Sequence, residues 1–203
     1  MVEELEPGPD GRTRLHVETR AEWRAWLEQH HEQSASIWLV SWKRATGRPS
    51  MMYEELVEEA LCFGWIDSTA NTLDGERSML LLAPRKPKSG WSRSNKQRVA
   101  RLEAAGLLAP AGIAAIERAK ASGTWALLDE VEDMKVPPDL AAAFSAHPGS
   151  AANFDAFPPS ARRAILEWIV QAKTDATRSK RVNETAELAA RGERANQWRP
   201  RPS

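Results

Sequence analysis

Between Pro84 and Arg101 the chain carries seven basic residues and no acid: Arg85, Lys86, Lys88, Arg93, Lys96, Arg98 and Arg101. Ser92, Ser94 and Asn95 stand where a helix is expected to begin, and Trp91 stands just ahead of them. The chemistry such a run suits is anion binding. The free amides at a helix start carry partial positive charge, short polar side chains add donors, and the lysines and arginines add full charges. Trp91 would offer a flat face to a base or ring. A phosphate, a nucleotide or an acidic peptide fits this description. The run lacks the G-x-x-x-x-G-K-[ST] spacing of a P-loop. The competing reading is a solvated loop, with Trp91 docked in the core and Asn95 capping.

A second group lies at Trp65-Ile66-Asp67-Ser68, where a helix should give way to a strand. An aspartate in an apolar strand is costly to bury unless it is paired. Asp67 pairing with Arg85 or Arg93 would aim that arginine at a ligand; the alternative is a purely structural ion pair. The candidate ligand-binding residues are therefore Trp65, Asp67, Ser68, Arg85, Lys86, Lys88, Trp91, Ser92 and Asn95. Cys62, between Leu61 and Phe63, reads as a buried, inert thiol. His16, His30, His31 and His147 show no metal-ligand spacing, and no hydrolase elbow or dinucleotide fingerprint is present. No catalytic residue, metal or cofactor is assigned, and the expectation leans toward a non-catalytic protein.

The runs Ala60–Ser68, Pro84–Asn95 and Ala119–Trp125 resemble the YdeI/OmpD-associated family of bacteria, also labelled bacteriocin-protection or OmdA-like proteins. Pro138-Asp139-Leu140, Phe154, Trp168-Ile169, Ala172-Lys173, Thr177-Arg178 and Arg181-Val182 are similar to that family's small helical module. The likeness covers about residues 15–192. It implies a role in tolerance to antimicrobial peptides and bacteriocins, a stress response, and brings no accepted catalytic residues with it.

Specific elements must position these groups. Thr19-Arg20-Ala21-Glu22 has the form of a capping box, followed by Trp23, Trp26, Leu27 and His30 at helical spacing. Ser36–Trp42 is β-branched and aromatic and reads as a strand. Ser50 is placed to cap a helix whose inward face is Tyr53, Leu56, Val57, Ala60 and Leu61, stopped by Gly64. Trp65–Leu73 and Arg77–Ala83 flank Asp74-Gly75, a hairpin signal. Antiparallel return then places Pro84 beside Gly64–Trp65, so the two motifs would meet at the hairpin base. A helix carrying Val99, Leu102 and Ala105 follows, then one opened by Pro110 with Ile113, Ile116 and Ala119 inward.

Beyond Pro137-Pro138 every element reads helical, with Ser160 capping a helix that turns Ile165, Trp168, Ile169 and Ala172 inward. A last helix runs from about Asp175 to Arg191. The expected fold is α+β: an N-terminal domain with a small antiparallel sheet and helices, followed by an all-helical C-terminal module. The divisions are an extended or disordered 1–14, an α+β domain 15–128, an acidic linker 129–138, an OmdA-like helical module 139–192 and a flexible tail 193–203.

Composition excludes some function classes. Of the 203 residues, 28 are Lys or Arg and 28 are Asp or Glu, which argues against strong non-specific nucleic-acid binding. The basic 85–101 and 178–194 blocks nevertheless keep a nucleic-acid contact surface open as an alternative, and an enzyme acting on a phosphorylated or anionic small molecule as another. A single cysteine excludes an intrachain disulfide. No apolar run approaches the roughly 20 residues of a membrane span. The acidic start Met1–Glu6 lacks the character of a secretory signal, so the expected location is cytoplasmic. The expected partner is an anionic small molecule or an acidic protein. The acid-rich first 60 residues and the basic run after Pro84 are expected either to face one another or to leave the basic one facing an anion.

Overall fold

The computed structural model describes residues 2–197. The chain forms two compact units. The first takes the chain up to Ser89 and then Ser94–Thr124; the second takes Gly90–Arg93 and the chain from Trp125 onward.

In the first unit, β1 (Glu3–Leu5) and β2 (Arg14–His16) pair antiparallel, and β2 crosses through helix α1 (Arg20–His30) to run parallel to β3 (Ile37–Trp42). The sheet is thus mixed rather than purely antiparallel, because a helix, not a turn, joins β2 to β3. Residues expected to be disordered or merely extended at 1–14 instead supply β1 and the start of β2 at the sheet edge. Helix α2 (Tyr53–Cys62) leads through Gly64 into β4 (Trp65–Thr72), which turns at Asp74-Gly75 into β5 (Arg77–Pro84). The strand order is β1-β2-β3-β5-β4. Helices α3 (Arg93–Ala104) and α4 (Pro110–Ala121) complete this part of the chain.

Local chemistry accounts for these boundaries. The capping box forms: Thr19 accepts from the Glu22 amide, and Glu22 accepts from the Thr19 amide. Met52, not Ser50, is the N-cap of α2, with the Glu55 carboxylate accepting from its amide at 2.9 Å. Gly64 has φ +73°, a left-handed conformation that ends α2. Trp23 donates its indole N–H to the Leu56 carbonyl at 3.1 Å and ties α1 to α2. Leu15, Trp23, Leu27, Ile37, Leu39, Leu61, Trp65 and Leu82 are fully buried. Two expected inward residues are exposed: Tyr53, at 54%, and Ile113, at 43%. Tyr53 is the first residue of its helix, at the rim rather than over the core.

The second unit is helical: α5 (Asp129–Glu132), α6 (Pro138–Ala146), α7 (Ser150–Ala156), α8 (Pro159–Val170) and α9 (Asp175–Ala190). Its core joins Leu128 and Val131 to Leu140, Phe154, Ile165, Ile169, Val182 and Ala189. The stretch expected as a linker at 129–138 therefore contains a helix and contributes Val131 to this core. Pro158, rather than Ser160, is the N-cap of α8, with Pro159 at the first helical position. Ala195, in the expected tail, is buried, and the tail beyond Gln197 lies outside the described residues.

Candidate functional site

The hairpin register builds the base of the site. Trp65 lies opposite Pro84 and Asp67 opposite Leu82, and the Arg85 amide donates to the Gly64 carbonyl at 2.9 Å. Arg85 is thereby brought to the start of β4. A β-bulge between Asp67 and Ala70 puts one extra residue on β4 directly after Asp67.

The Asp67 carboxylate is shared. Its Oδ2 accepts from the Tyr53 hydroxyl at 2.6 Å, and its charge acts on the guanidiniums of Arg85 and Arg98. Burial draws Arg85 down to about 10, and Asp67 opposes that shift, so the arginine stays charged at neutral pH. The Tyr53 hydroxyl is pushed up to about 12 by burial and by its bond to Asp67. The charge of Asp67 thus offsets part of the cost of burying Arg85 at the end of the hairpin.

Behind this cluster runs a set of paired charges. Arg98 donates to Glu54 at 2.6 Å and to the Asn95 side-chain Oδ1 at 2.8 Å, and Arg101 reaches Glu54 and Glu58 at 2.7 and 3.1 Å. Glu58 also accepts from Arg20, and the buried Glu59 accepts from both Arg20 and Arg24 at 2.6 and 2.9 Å. The acid-rich early chain and part of the basic run therefore do meet, through α2 and α3.

The remaining candidates fall in different places. Trp65 is buried, donating to the His31 carbonyl at 3.2 Å and meeting Trp26 edge-on. Ser68 is exposed and donates to the Leu81 carbonyl at 3.4 Å. Lys86 and Lys88 are exposed on a tight turn closed by Ser89, whose amide and hydroxyl both donate to the Lys86 carbonyl. Trp91 and Ser92 belong to the second unit. Trp91 is 2% exposed with its ring 4.9 Å from Trp125, so it presents no face to a base. A Cβ on Gly90 would lie 2.7 Å from Leu128 Cγ, which is the packing reason for glycine there. Arg93 pairs with Glu132 and Asp133, not with Asp67, and Asn95 is buried.

The basic blocks are largely occupied. Arg98 and Arg101 are held as above, Arg178 by Asp139 at 2.6 Å, Arg191 by Glu193, and Arg181 by the Trp168 carbonyl and ring. Cys62 is buried and its thiol is pushed up to about 11 by burial, which suppresses the thiolate. Among the described residues no cluster of His, Cys, Asp or Glu could hold a metal ion, and no helix is long and apolar enough to cross a membrane. Tyr53 and Arg98 are the two members of the cluster that sequence reasoning missed. The signal available was weak: a lone tyrosine ahead of two glutamates at a helix start.

Residues 133–192 match the family model described as Bacteriocin-protection, YdeI or OmpD-Associated. Residues 15–115 match a different model, Domain of unknown function (DUF8412), so the runs at 60–68 and 84–95 fall outside the first match. Searches of curated proteins and of solved structures found no match.

Proposed function

We propose, from the match of residues 133–192 to the family described as Bacteriocin-protection, YdeI or OmpD-Associated, that this protein acts in tolerance to bacteriocins and antimicrobial peptides, in the cytoplasm, by binding rather than by catalysis. Its ligand is an anionic group taken at the hairpin base. The observation that carries this reading is Arg85, half-buried, brought to the start of β4 by the hydrogen bond of its amide to Gly64, with two exposed lysines one and three residues on. The two exposed lysines add positive charge beside Arg85, which suits an anion. The charge of Asp67 acts on the guanidinium, and Lys86 and Lys88 attract the ligand from solvent.

The test is native mass spectrometry of the full chain, with and without added pyrophosphate, beside an Arg85→Ala/Lys88→Ala variant. A retained or added anion on the wild type, with affinity at least about tenfold weaker on the variant, is expected, since tenfold is the loss of about 1.4 kcal/mol. Equal binding to both proteins, or none to either, would overturn the assignment. A deletion strain complemented with the variant should stay as sensitive to bacteriocin as the uncomplemented strain.

A further inference from the structure

A cavity of about 780 Å³ opens between the sheet and the start of α2; Tyr53 of the hairpin-base cluster stands at its edge, but Arg85, Lys86 and Lys88 do not line it. It exists because the sheet runs out of large residues. Leu39 lies opposite Leu80, but the next step on that face puts Ser41 opposite Ser78, and Ala70 lies beside Leu80. These small side chains leave open the space a further leucine pair would fill. Met51, Met52 and Leu56 form the facing wall. Two adjacent methionines, Met51 and Met52, line this cavity; Met79 borders it, but pairs with Val40 and packs with Trp38 on the other face of the sheet. Methionine is flexible and polarizable, so such a wall adapts to an apolar guest. The volume is that of a site for a small organic ligand.

The charge at the rim has one sign. Lys43 and Arg44 line the cavity and make no ion pair with any described residue. Lys43 Nζ donates to the carbonyls of Asp74 and Gly75 at 2.7 and 3.2 Å, which fixes the ammonium without neutralising it. The Asp74 carboxylate itself is taken by Arg77 at 2.7 Å. Glu54, the one carboxylate among the described lining residues, is taken by Arg98 and Arg101. The hydroxyl oxygen of Ser41 is buried and has no hydrogen-bond partner among the described residues. An apolar body and a cationic end describe the complement of a molecule with an apolar chain and one carboxylate.

We infer that this cavity binds an amphipathic carboxylate of the fatty-acid kind, with its chain over Leu39, Leu80 and the methionines and its carboxylate at Lys43 and Arg44. The inference does not need Arg85, which is not among the residues lining the cavity, although Tyr53, which bonds Asp67, is.

The experiment is calorimetric titration of the full chain with decanoate, kept below its micelle concentration. Decanoate should bind, and Lys43→Ala/Arg44→Ala should weaken it about tenfold, the loss of one charge-assisted contact. Ser78→Trp, which fills the cavity, should abolish binding, with circular dichroism confirming the fold. Should that variant fail to fold, the rim variant decides alone, because its side chains lie at the surface and not in the core. Arg85→Ala/Lys88→Ala should bind decanoate as the wild type does. No binding at millimolar decanoate, an unchanged affinity in the rim variant, or loss of binding in the Arg85 variant would each overturn the inference.

Discussion

A Cβ placed on Gly112 would lie 2.2 Å from the carbonyl oxygen of Cys62 and 3.0 Å from that of Leu61. The backbone of α4 therefore rests directly on the last turn of α2, and the Ala109 amide donates to the same Cys62 oxygen at 3.0 Å. Gly64 has its own reason at this junction: besides its positive φ, a Cβ there would meet Ala115 Cβ at 3.0 Å. The close approach of α4 fixes where α2 ends and β4 begins, and so where Asp67 sits.

Gly112→Ala tests that contact with opposed effects. Alanine is the better helix former by about 1 kcal/mol. The clash is with a carbonyl of a packed helix, which cannot swing away, and overpacking of this kind costs about 1–3 kcal/mol. The clash should win, and the urea midpoint of the variant should fall. A rise would mean that α4 does not approach so closely.

Tyr53 is the only tyrosine in the chain, so its ionisation can be read without ambiguity from phenolate absorbance. It should titrate near 12 rather than near the ordinary 10, and Asp67→Asn should bring it back down. The sign for stability follows. The native state holds this proton more tightly than the unfolded chain, so the contribution is complete below pH about 10. It is lost as the pH rises from there toward 12. A native-state midpoint near 10 would remove the Tyr53–Asp67 bond from the site.

How much of this was legible in the residues depended on distance along the chain. The capping box at Thr19 and Glu22 and the turn at Asp74-Gly75 are local devices, and both appear where expected. The return of Arg85 to Gly64 followed from the hairpin alone. The three-residue strands β1 and β2 carry too little pattern to announce themselves, and they exist through pairings such as Glu3 with His16. Tyr53 fell on the apolar stripe of α2 by periodicity, yet the first residue of a helix overhangs the edge of what the helix covers. Trp91 read as a binding platform because its neighbours are charged. Its actual partner, Trp125, stands 34 residues away and no local rule points to it.

Glu59 sits with its side chain 3% exposed between Arg20 and Arg24, whose side chains keep 34% and 31% exposure. Glu59→Gln removes the charge and leaves both guanidiniums facing a neutral amide. Breaking a buried pair costs about 3–5 kcal/mol, and the partial exposure of the arginines puts this case at about 3. Thermal unfolding should register the loss, and Glu28→Gln, on the exposed partner of Arg24, should change it much less. Equal effects would mean that burial of Glu59 contributes nothing.

Trp91 offers the sharpest separation between a packing role and a binding role. Its ring is 2% exposed and lies 4.9 Å from that of Trp125. Truncating a buried tryptophan costs about 3–5 kcal/mol, a large share of the stability of a unit this size. Trp91→Ala should therefore lower the unfolding midpoint sharply, and Trp91→Phe should recover part of it by refilling the space. Lys88→Ala, three residues earlier on an exposed turn, should leave the midpoint unchanged while weakening anion binding. The opposite pattern, a stable Trp91→Ala that no longer binds an anion, would return this tryptophan to the ligand site.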